Sequence, residues 1–455
     1  MDLWVMSGSL YTNIYPIIRF LWRGGREKSL YLSELEQTQR LSRAELKEFQ
    51  FKKIKNLLKY AYTHVPYYRN LYKRNSIHPD DINTYRDFQA LPFLTRDDLN
   101  NHIDDLVSDE FVGSVYMSQT GGSVGKPVRF YTDSSSSLYG GAILDRCRLW
   151  YDVHPGAKTA WLWGAQRDIP SLTPLDHLRA RFKRHRFLNA FDMTDAKMHA
   201  FAQMLVRWRP ALLRAYPSAI SIFAQYINQH GISGIHPKLI ETTSEKLMAP
   251  QRQLLETVFC CPIAECYSSR ELYQIAYQCP MGGLHICEAV YLEVVANDRV
   301  ILNGQIGEAV ITSLTKLAVP FIRYKIDDLA NIDSAECSCG RGLPLLKDLV
   351  GRKTDYIKTP SGRYVDGRLF NAVFRIKPEI LQFQVKQRSL YHLSINIVCK
   401  QNPGSAWIEN VRKELSDHLG EEMRIELSLV DRIDLGPGGK HHYVTSSVMS
   451  ESAGK

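Results

Sequence analysis

Segments with the period of a helix and segments with the period of a strand take turns along most of this chain. That alternation narrows the fold more than any other feature. Ser42-Arg-Ala-Glu45 has the form of a capping box. Leu46, Phe49, Ile54, Leu57, Leu58 and Ala61 then recur at helical spacing, and Pro66 closes the helix. Thr95 with Asp98 opens another. Val128–Tyr131 reads as a strand and Ser135–Tyr151 as a helix. Lys158–Trp163 and Leu212–Tyr216 read as short buried strands, and 187–209 and 217–229 as helices. Such alternation up to about residue 320 predicts an α/β fold of layered sheets and helices, with a partly parallel sheet. From Tyr364 the pattern changes. Leu381–Val385, Leu390–Cys399 and Arg424–Val430 alternate with a period of two, and Ser405–Leu419 is amphipathic. The expected organisation is a large domain over residues 1–350 and a small α+β domain over 351–455. Two domains suit a chain of 455 residues. Residues 1–35 are aromatic and basic, with no assignable pattern.

Charge and composition remove several classes. Lysine and arginine number 57 against 48 acidic residues, a net +9 that is mild at this length and not clustered. It can draw an anionic ligand but does not predict nucleic-acid binding. Arg179–Arg186 reads as a solvated surface. No apolar run reaches the length of a membrane span, since Arg19 interrupts Ile14–Trp22. The start Met-Asp-Leu-Trp lacks the basic region and cleavage site of a secretion signal, so a cytoplasmic protein is expected. Nine cysteines, an odd number, then point to reduced thiols or a metal site rather than a disulfide framework. A homodimer is compatible with this composition.

Ser118-Gln-Thr-Gly-Gly-Ser-Val-Gly-Lys-Pro127 is the stretch richest in chemistry. Its glycines permit a tight turn and close approach of backbone to a ligand. Its N–H groups and Lys126 suit an anion. It is not a Walker loop, because Pro127 follows the lysine. A polar glycine turn in a hairpin is the plain alternative. Four later stretches share its polar, strand-end character. They are Ile240-Glu-Thr-Thr-Ser-Glu-Lys246, Glu265-Cys-Tyr-Ser-Ser-Arg-Glu271, Val319-Pro-Phe-Ile-Arg-Tyr-Lys-Ile-Asp-Asp328 and Gly351-Arg-Lys-Thr-Asp355. The third reads as an apolar strand ending in two acids. Each taken singly also suits an ordinary surface acid or a local salt bridge.

In their order these stretches resemble the adenylate-forming enzymes. Within them the likeness is to the phenylacetate–coenzyme A ligase family and its capsular-polysaccharide-associated, CapK-like relatives, from about Leu57 to Val444. The family's phosphate loop, Thr-Ser-Gly-[Ser/Thr]-Thr-Gly-x-Pro, stands here as Thr120-Gly-Gly-Ser-Val-Gly-Lys-Pro127. Its Tyr-Gly-x-x-Glu stands as Tyr267-Ser-Ser-Arg-Glu271. Its Arg-Tyr-[Arg/Lys]-Thr-Gly-Asp stands as Arg323-Tyr-Lys-Ile-Asp-Asp328. Gly351–Asp355 matches the hinge motif, and Gly439-Lys440 the late Gly-Lys of the C-terminal lid. Ser268 and Asp327 replace the usual glycines, Ile326 a hydroxyl residue, and Thr354 a hinge acid.

The resemblance implies a large adenylate-forming domain with a mobile lid, and a site that binds ATP. Thr120, Gly121, Gly122, Ser123, Gly125 and Lys126 would hold the β- and γ-phosphates. Ser244, Glu245 and Tyr267 would line the adenine, with Ser268, Ser269 and Arg270 in the same turn. Asp328 would hold the ribose, with Arg352 beside it. Glu271 would bind Mg²⁺, and Lys440 would reach the reacting carboxylate and α-phosphate. Trp163, Tyr216 and Pro217 are candidate walls for the acid. The expected activity is conversion of a carboxylic acid to an acyl-adenylate and transfer to a thiol, most often coenzyme A, with a link to capsular or exopolysaccharide biosynthesis. A catalytically silent nucleotide-binding or scaffold protein of the same fold is the alternative.

Cys279-Pro-Met-Gly-Gly-Leu-His285 and Cys337-Ser-Cys339-Gly offer three thiols and an imidazole, a suitable set for structural Zn²⁺. Cys287 is the substitute ligand if His285 is not used. The plain alternative is a group of unliganded buried thiols. Cys260, Cys261 and Cys266 read as core residues beside strands.

Overall fold

The computed structural model describes residues 25–119, 128–163, 184–190, 193–301, 304–352, 356–361, 364–366, 368–375, 377, 379–399, 401–433 and 444–448. They fall into two compact units. The first runs to Leu349, less Asp327–Ala330; the second holds that short stretch and the chain from Val350.

In the first unit the helices are α1 Gly25–Thr38, α2 Arg43–His64, α3 Pro66–Arg74, α4 Tyr85–Gln89, α5 Arg96–Asn101, α6 Ser134–Leu149, α7 Asp195–Trp208, α8 Pro217–Gln229 and α9 Ala249–Phe259. Local chemistry sets several of their ends. Ser42 and Glu45 form the expected capping box of α2, and Thr95 and Asp98 that of α5. Pro66 occupies the first turn of α3, where its missing N–H costs nothing. Helix α1 begins inside the stretch for which the sequence gives no pattern and runs three residues past it.

The strands begin with β1 Tyr116–Gln119 and β2 Arg129–Thr132, a two-stranded antiparallel pair. Next come β3 Thr159–Trp163, β4 His185–Asn189, β5 Leu212–Ala215, β6 Leu239–Thr243, β7 Ile263–Ser269 and β8 Tyr273–Gln278. They are followed by β9 Leu284–Ile286, β10 Val290–Ala296, β11 Arg299–Val300, β12 Gly307–Ser313, β13 Tyr324–Asp333 and β14 Leu345–Arg352. These twelve from β3 onward make one sheet, in the order β11-β10-β12-β13-β14-β9-β8-β7-β6-β5-β3-β4. Its β4, β3, β5, β6 and β7 run parallel.

Parallel strands with helices on both faces are buried throughout, which is why β5 and β6 are buried at every position. Successive side chains point to opposite faces. Leu213, Ala215, Ile240 and Ile263 join Phe201, Phe223 and Phe259 of α7–α9 in one core. Leu212, Leu239 and Ala264 join Leu35 of α1 and Ala142 and Ile143 of α6 in another. Truncating Leu213 to alanine would cost about 2–5 kcal/mol, the usual range for a buried leucine.

Two expectations are corrected. The stretch 187–209 is not one helix. His185–Asn189 is a strand paired with β3, and the helix begins at Asp195 behind its Thr194 cap. The sheet edge claims residues whose helical period is indistinct. Likewise Val319–Arg323 is not strand; β13 begins at Tyr324 and continues past Asp328 to Asp333. Arg323, just before the strand, sits at φ +52, outside the extended region of backbone conformation.

The second unit contains β15 Tyr356–Lys358, β16 Tyr364–Asp366, α10 Arg368–Arg375, β17 Ile380–Ser389, β18 His392–Cys399, α11 Ser405–Leu419, β19 Arg424–Leu429 and β20 Val444–Ser446. A sheet ordered β19-β18-β17-β20 packs Phe383, Val385, Leu393 and Ile395 against Phe370 and Phe374 of α10 and Val411 and Leu415 of α11. This is the small α+β module expected from the sequence. Among the described residues, no helix is long and apolar enough to cross a membrane.

Candidate active site and metal centre

The carboxyl ends of β3, β5, β6 and β7 lie along one edge of the sheet, at Trp163, Ala215, Thr243 and Ser269. Open α/β sheets bind ligands at such an edge. Several expected site residues gather there. Ser244 follows β6 at φ +70. The Glu245 carboxylate accepts from Ser218 N and Ser218 Oγ, both at 3.0 Å, at the start of α8. A carboxylate is favoured at a helix N-terminus. Tyr267 is buried on β7, and Ser268 Oγ lies 3.2 Å from Thr243 Oγ1. The β7–β8 register shifts between Tyr267 and Ser268, so a bulge falls within the motif and re-aims its side chains. Ser269 Oγ accepts from Leu272 N at 3.0 Å, closing the turn that carries Arg270 and Glu271. The Trp163 and Tyr216 rings meet with centroids 4.5 Å apart beside Pro217.

Glu271 is only 3% exposed, and the Tyr324 hydroxyl stands 3.5 Å from its carboxylate. A carboxylate is the kind of oxygen ligand that a hard cation such as Mg²⁺ prefers. Arg323 is not paired with Asp328. It is buried, grips Glu293 through Nε at 3.2 Å and Nη2 at 3.0 Å, and donates to Leu91 O. Asp327 takes φ +65 where the family pattern has glycine, the residue that adopts this conformation without strain. Asp328 lies within β13, and Arg352 ends β14. Thr120, Gly121, Gly122, Ser123, Gly125, Lys126, Thr354 and Lys440 lie outside the described residues. The ends of the glycine loop are nevertheless held side by side, because Gln119 pairs with Arg129.

A chain of hydroxyls runs under those flanking strands. Tyr116 OH and Ser137 Oγ are 2.7 Å apart, Ser137 Oγ and Tyr273 OH 2.7 Å, and Tyr273 OH and Thr132 Oγ1 3.0 Å. Gly140 makes room for this chain, since a Cβ there would stand 2.6 Å from Tyr273 Cγ.

Sequence reasoning missed two buried charged groups. Glu241 on β6 is fully buried. It accepts from Arg148 Nε at 2.8 Å, Arg214 Nη1 at 3.0 Å and Tyr277 OH at 3.0 Å. Burial alone would raise its pKa, but the two guanidiniums outweigh burial and hold it down at about 2. Lys316 is 1% exposed, and burial pushes its pKa down to about 8 against the pull of Asp133 and Glu271. Its one sequence signal is a lysine in the mostly apolar run Leu314–Ile322.

Cys279, His285, Cys337 and Cys339 come together, with one ligand atom from each, all within 4.8 Å of one another. Cys279 Sγ and Cys337 Sγ are 3.6 Å apart; Cys339 Sγ and His285 Nε2 are 3.1 Å apart. His285 Nδ1 lies 3.2 Å from Leu343 O, which turns Nε2 toward the thiols. Burial pushes the His285 pKa down to about 4, so the imidazole is neutral, the form that binds metal. Burial opposes ionisation of Cys339, but hydrogen bonds from Arg341 lower its pKa. Three sulfurs and a nitrogen so placed fit a tetrahedral Zn²⁺ site. Cys287 stands apart, against Cys147. Cys266 is buried as expected, whereas Cys260 is exposed, since it caps α9 in a left-handed conformation at φ +49.

Comparison with known proteins extends these observations. Residues 357–447 match the CapK C-terminal domain. The chain is 22% identical over 421 residues to Protein CapK of Staphylococcus aureus, covering 89% of this chain and 90% of the relative. It is 26% identical over 346 residues to the phenylacetate-coenzyme A ligase of Thermus thermophilus, covering 72% and 74%. A crystal structure of 2-hydroxyisobutyryl-CoA ligase in the postadenylation state, in complex with 2-HIB-AMP, superposes with a TM-score of 0.70. It is 18% identical and covers 92% of this chain and 93% of that one. The chain is thus similar to Protein CapK and to the phenylacetate-coenzyme A ligases over most of its length, and it has the fold of the adenylate-forming CoA ligases.

Proposed function

We propose that this protein is an ATP-dependent acid–thiol ligase. The carboxylate of an acid attacks the α-phosphorus of ATP, pyrophosphate leaves, and an acyl-adenylate remains. A thiol, in this reading that of coenzyme A, then attacks the acyl carbon and AMP leaves. The observation that carries the reading is the gathering of Ser244, Tyr267, Ser268 and Glu271 at the carboxyl ends of β6 and β7, in a chain similar to the phenylacetate-coenzyme A ligases over most of its length.

In this reading the loop Thr120–Lys126 takes the β- and γ-phosphates. Ser244 and Tyr267 line the adenine. Glu245 serves there through its backbone, because its carboxylate is engaged at α8. Asp328 and Arg352 hold the ribose, and Glu271 holds Mg²⁺, which when bound neutralises phosphate charge. Lys440, on a lid formed by residues 351–455, reaches the charge that develops during adenylation. Zn²⁺ on Cys279, His285, Cys337 and Cys339 is structural, because four protein ligands leave no open position. A place in capsular or exopolysaccharide biosynthesis belongs to the same reading and is supported by the CapK likeness.

The test is pyrophosphate release over a panel of aryl, fatty and hydroxy acids, with and without coenzyme A. Release should depend on one class of acid, and a thioester should form when coenzyme A is added. ATP binding with no release for any acid would favour the silent nucleotide-binding alternative.

A further inference from the structure

Lys316 lies in the irregular segment between β12 and β13, with its side chain closed off from solvent. Its Nζ is 3.3 Å from Thr132 Oγ1. The rings of Tyr273, Phe321 and Phe130 surround the ammonium at 4.8, 5.4 and 5.7 Å. Ring faces attract a cation, but a buried ammonium is costly unless carboxylates answer it. Asp133 and Glu271 are the carboxylates whose charge reaches it.

These neighbours come from separate pieces of the candidate site. Phe130 and Thr132 belong to β2, the strand that leaves the glycine loop. Glu271 lies in the turn after β7, and Tyr273 follows that turn as the first residue of β8. Phe321 precedes Tyr324, whose hydroxyl stands beside Glu271. Tyr273 also carries the hydroxyl chain that reaches Tyr116 of β1, on the other side of the loop. A leucine or methionine would fill an apolar core position as well. An ammonium in this place donates to Thr132 of β2 and lies over the ring of Tyr273, the residue that follows the turn carrying Glu271.

We propose that Lys316 is a positioning residue for nucleotide binding, its buried ammonium holding the strand that leaves the glycine loop against the turn that carries Glu271. The inference rests on the nucleotide site proposed above and adds to it a residue that does not touch the nucleotide.

The experiment is calorimetric titration of wild type, Lys316→Met and Thr132→Val with a non-hydrolysable ATP analogue plus Mg²⁺, and separately with coenzyme A. It is paired with steady-state kinetics of pyrophosphate release. Lys316→Met keeps the stem and removes the charge; Thr132→Val keeps the shape and removes the acceptor. Each should weaken the analogue about tenfold, equivalent to about 1.4 kcal/mol, with coenzyme A affinity unchanged. KM for ATP should rise by a similar factor while KM for the acid stays level. A lysine that only supports folding would lower the active fraction, so kcat would fall with KM for ATP unchanged, and that result would overturn the inference. If Lys316→Met does not fold, Thr132→Val decides: wild-type affinity for the analogue would overturn the inference. Wild-type protein that binds no nucleotide would overturn both this inference and the nucleotide site. Wild-type binding that neither substitution weakens would overturn this inference alone.

Discussion

A methyl group at position 283 would stand 2.8 Å from Cys337 Sγ and 3.1 Å from Leu345 Cδ2. The first is closer than packed atoms tolerate and the second is tight, so a side chain at position 283 would have to displace the Cys337 thiol. Gly283→Ala should push Cys337 out of the four-residue set and lower bound zinc to well under one ion per chain. Elemental analysis of the purified variant beside wild type would check this; full occupancy in the variant would put the metal elsewhere. Lys440 poses a different question at the same scale. Lys440→Ala should slow acyl-adenylate formation by roughly two to three orders of magnitude, the usual cost of losing one preorganised contact to developing charge. Transfer from a presynthesised acyl-adenylate should change far less. Rapid-quench assays of the two half-reactions would separate these outcomes, and equal losses in both would assign Lys440 to folding.

Strand β6 and helix α6 are joined by the most heavily bonded buried carboxylate described here. Glu241 is held at about 2 against its ordinary 4.5 by Arg148 and Arg214. A depressed carboxylate stabilises the fold above its ordinary pKa, and that contribution is lost as pH falls from about 4.5 toward 2. The contribution is on the order of 3 kcal/mol. Acid unfolding followed by circular dichroism should therefore steepen across that window, and Glu241→Gln should flatten it while lowering stability near neutral pH. A variant with an unchanged acid transition would show that other carboxylates govern it. Helix α6 offers a second test. Gly140→Ala improves helix propensity by up to about 1 kcal/mol. The new methyl would meet the Tyr273 ring, and overpacking of this kind costs about 1–3 kcal/mol. A lower thermal midpoint is expected, and a higher one would show that Tyr273 moves freely.

At the scale of the molecule, Cys279 and His285 meet Cys337 and Cys339, more than fifty positions further along the chain. His285 meets Trp150 edge to face, and Trp150 Nε1 donates to Gln39 at 2.8 Å, so the same cluster reaches the ends of α6 and α1. Binding a structural metal adds to folding free energy directly. Removing zinc with a strong chelator should lower the thermal midpoint and expose the thiols to a colorimetric thiol reagent, and returning zinc should reverse both. An unchanged midpoint after verified metal loss would make the cluster dispensable for stability.

The sequence alone determined those features whose physics is local. The capping boxes of α2 and α5, Pro66 at the start of α3 and the period-two strands of the second unit each depend on residues a few positions apart. The order of motifs from Thr120 to Gly439 carried the family likeness, and the thiols and imidazole singled out in the sequence are the four side chains that come together. Tertiary structure decided what depends on distant partners. His185–Asn189 is a strand because β3 lies beside it, and the period of those residues does not show that neighbour. Arg323 answers Glu293 rather than Asp328. Lys316 is marked in the sequence only by its apolar neighbours, and what it does is set by Thr132, Tyr273 and Phe321, which close around it. A buried charge is defined by what replaces its water, and those groups come from elsewhere in the chain.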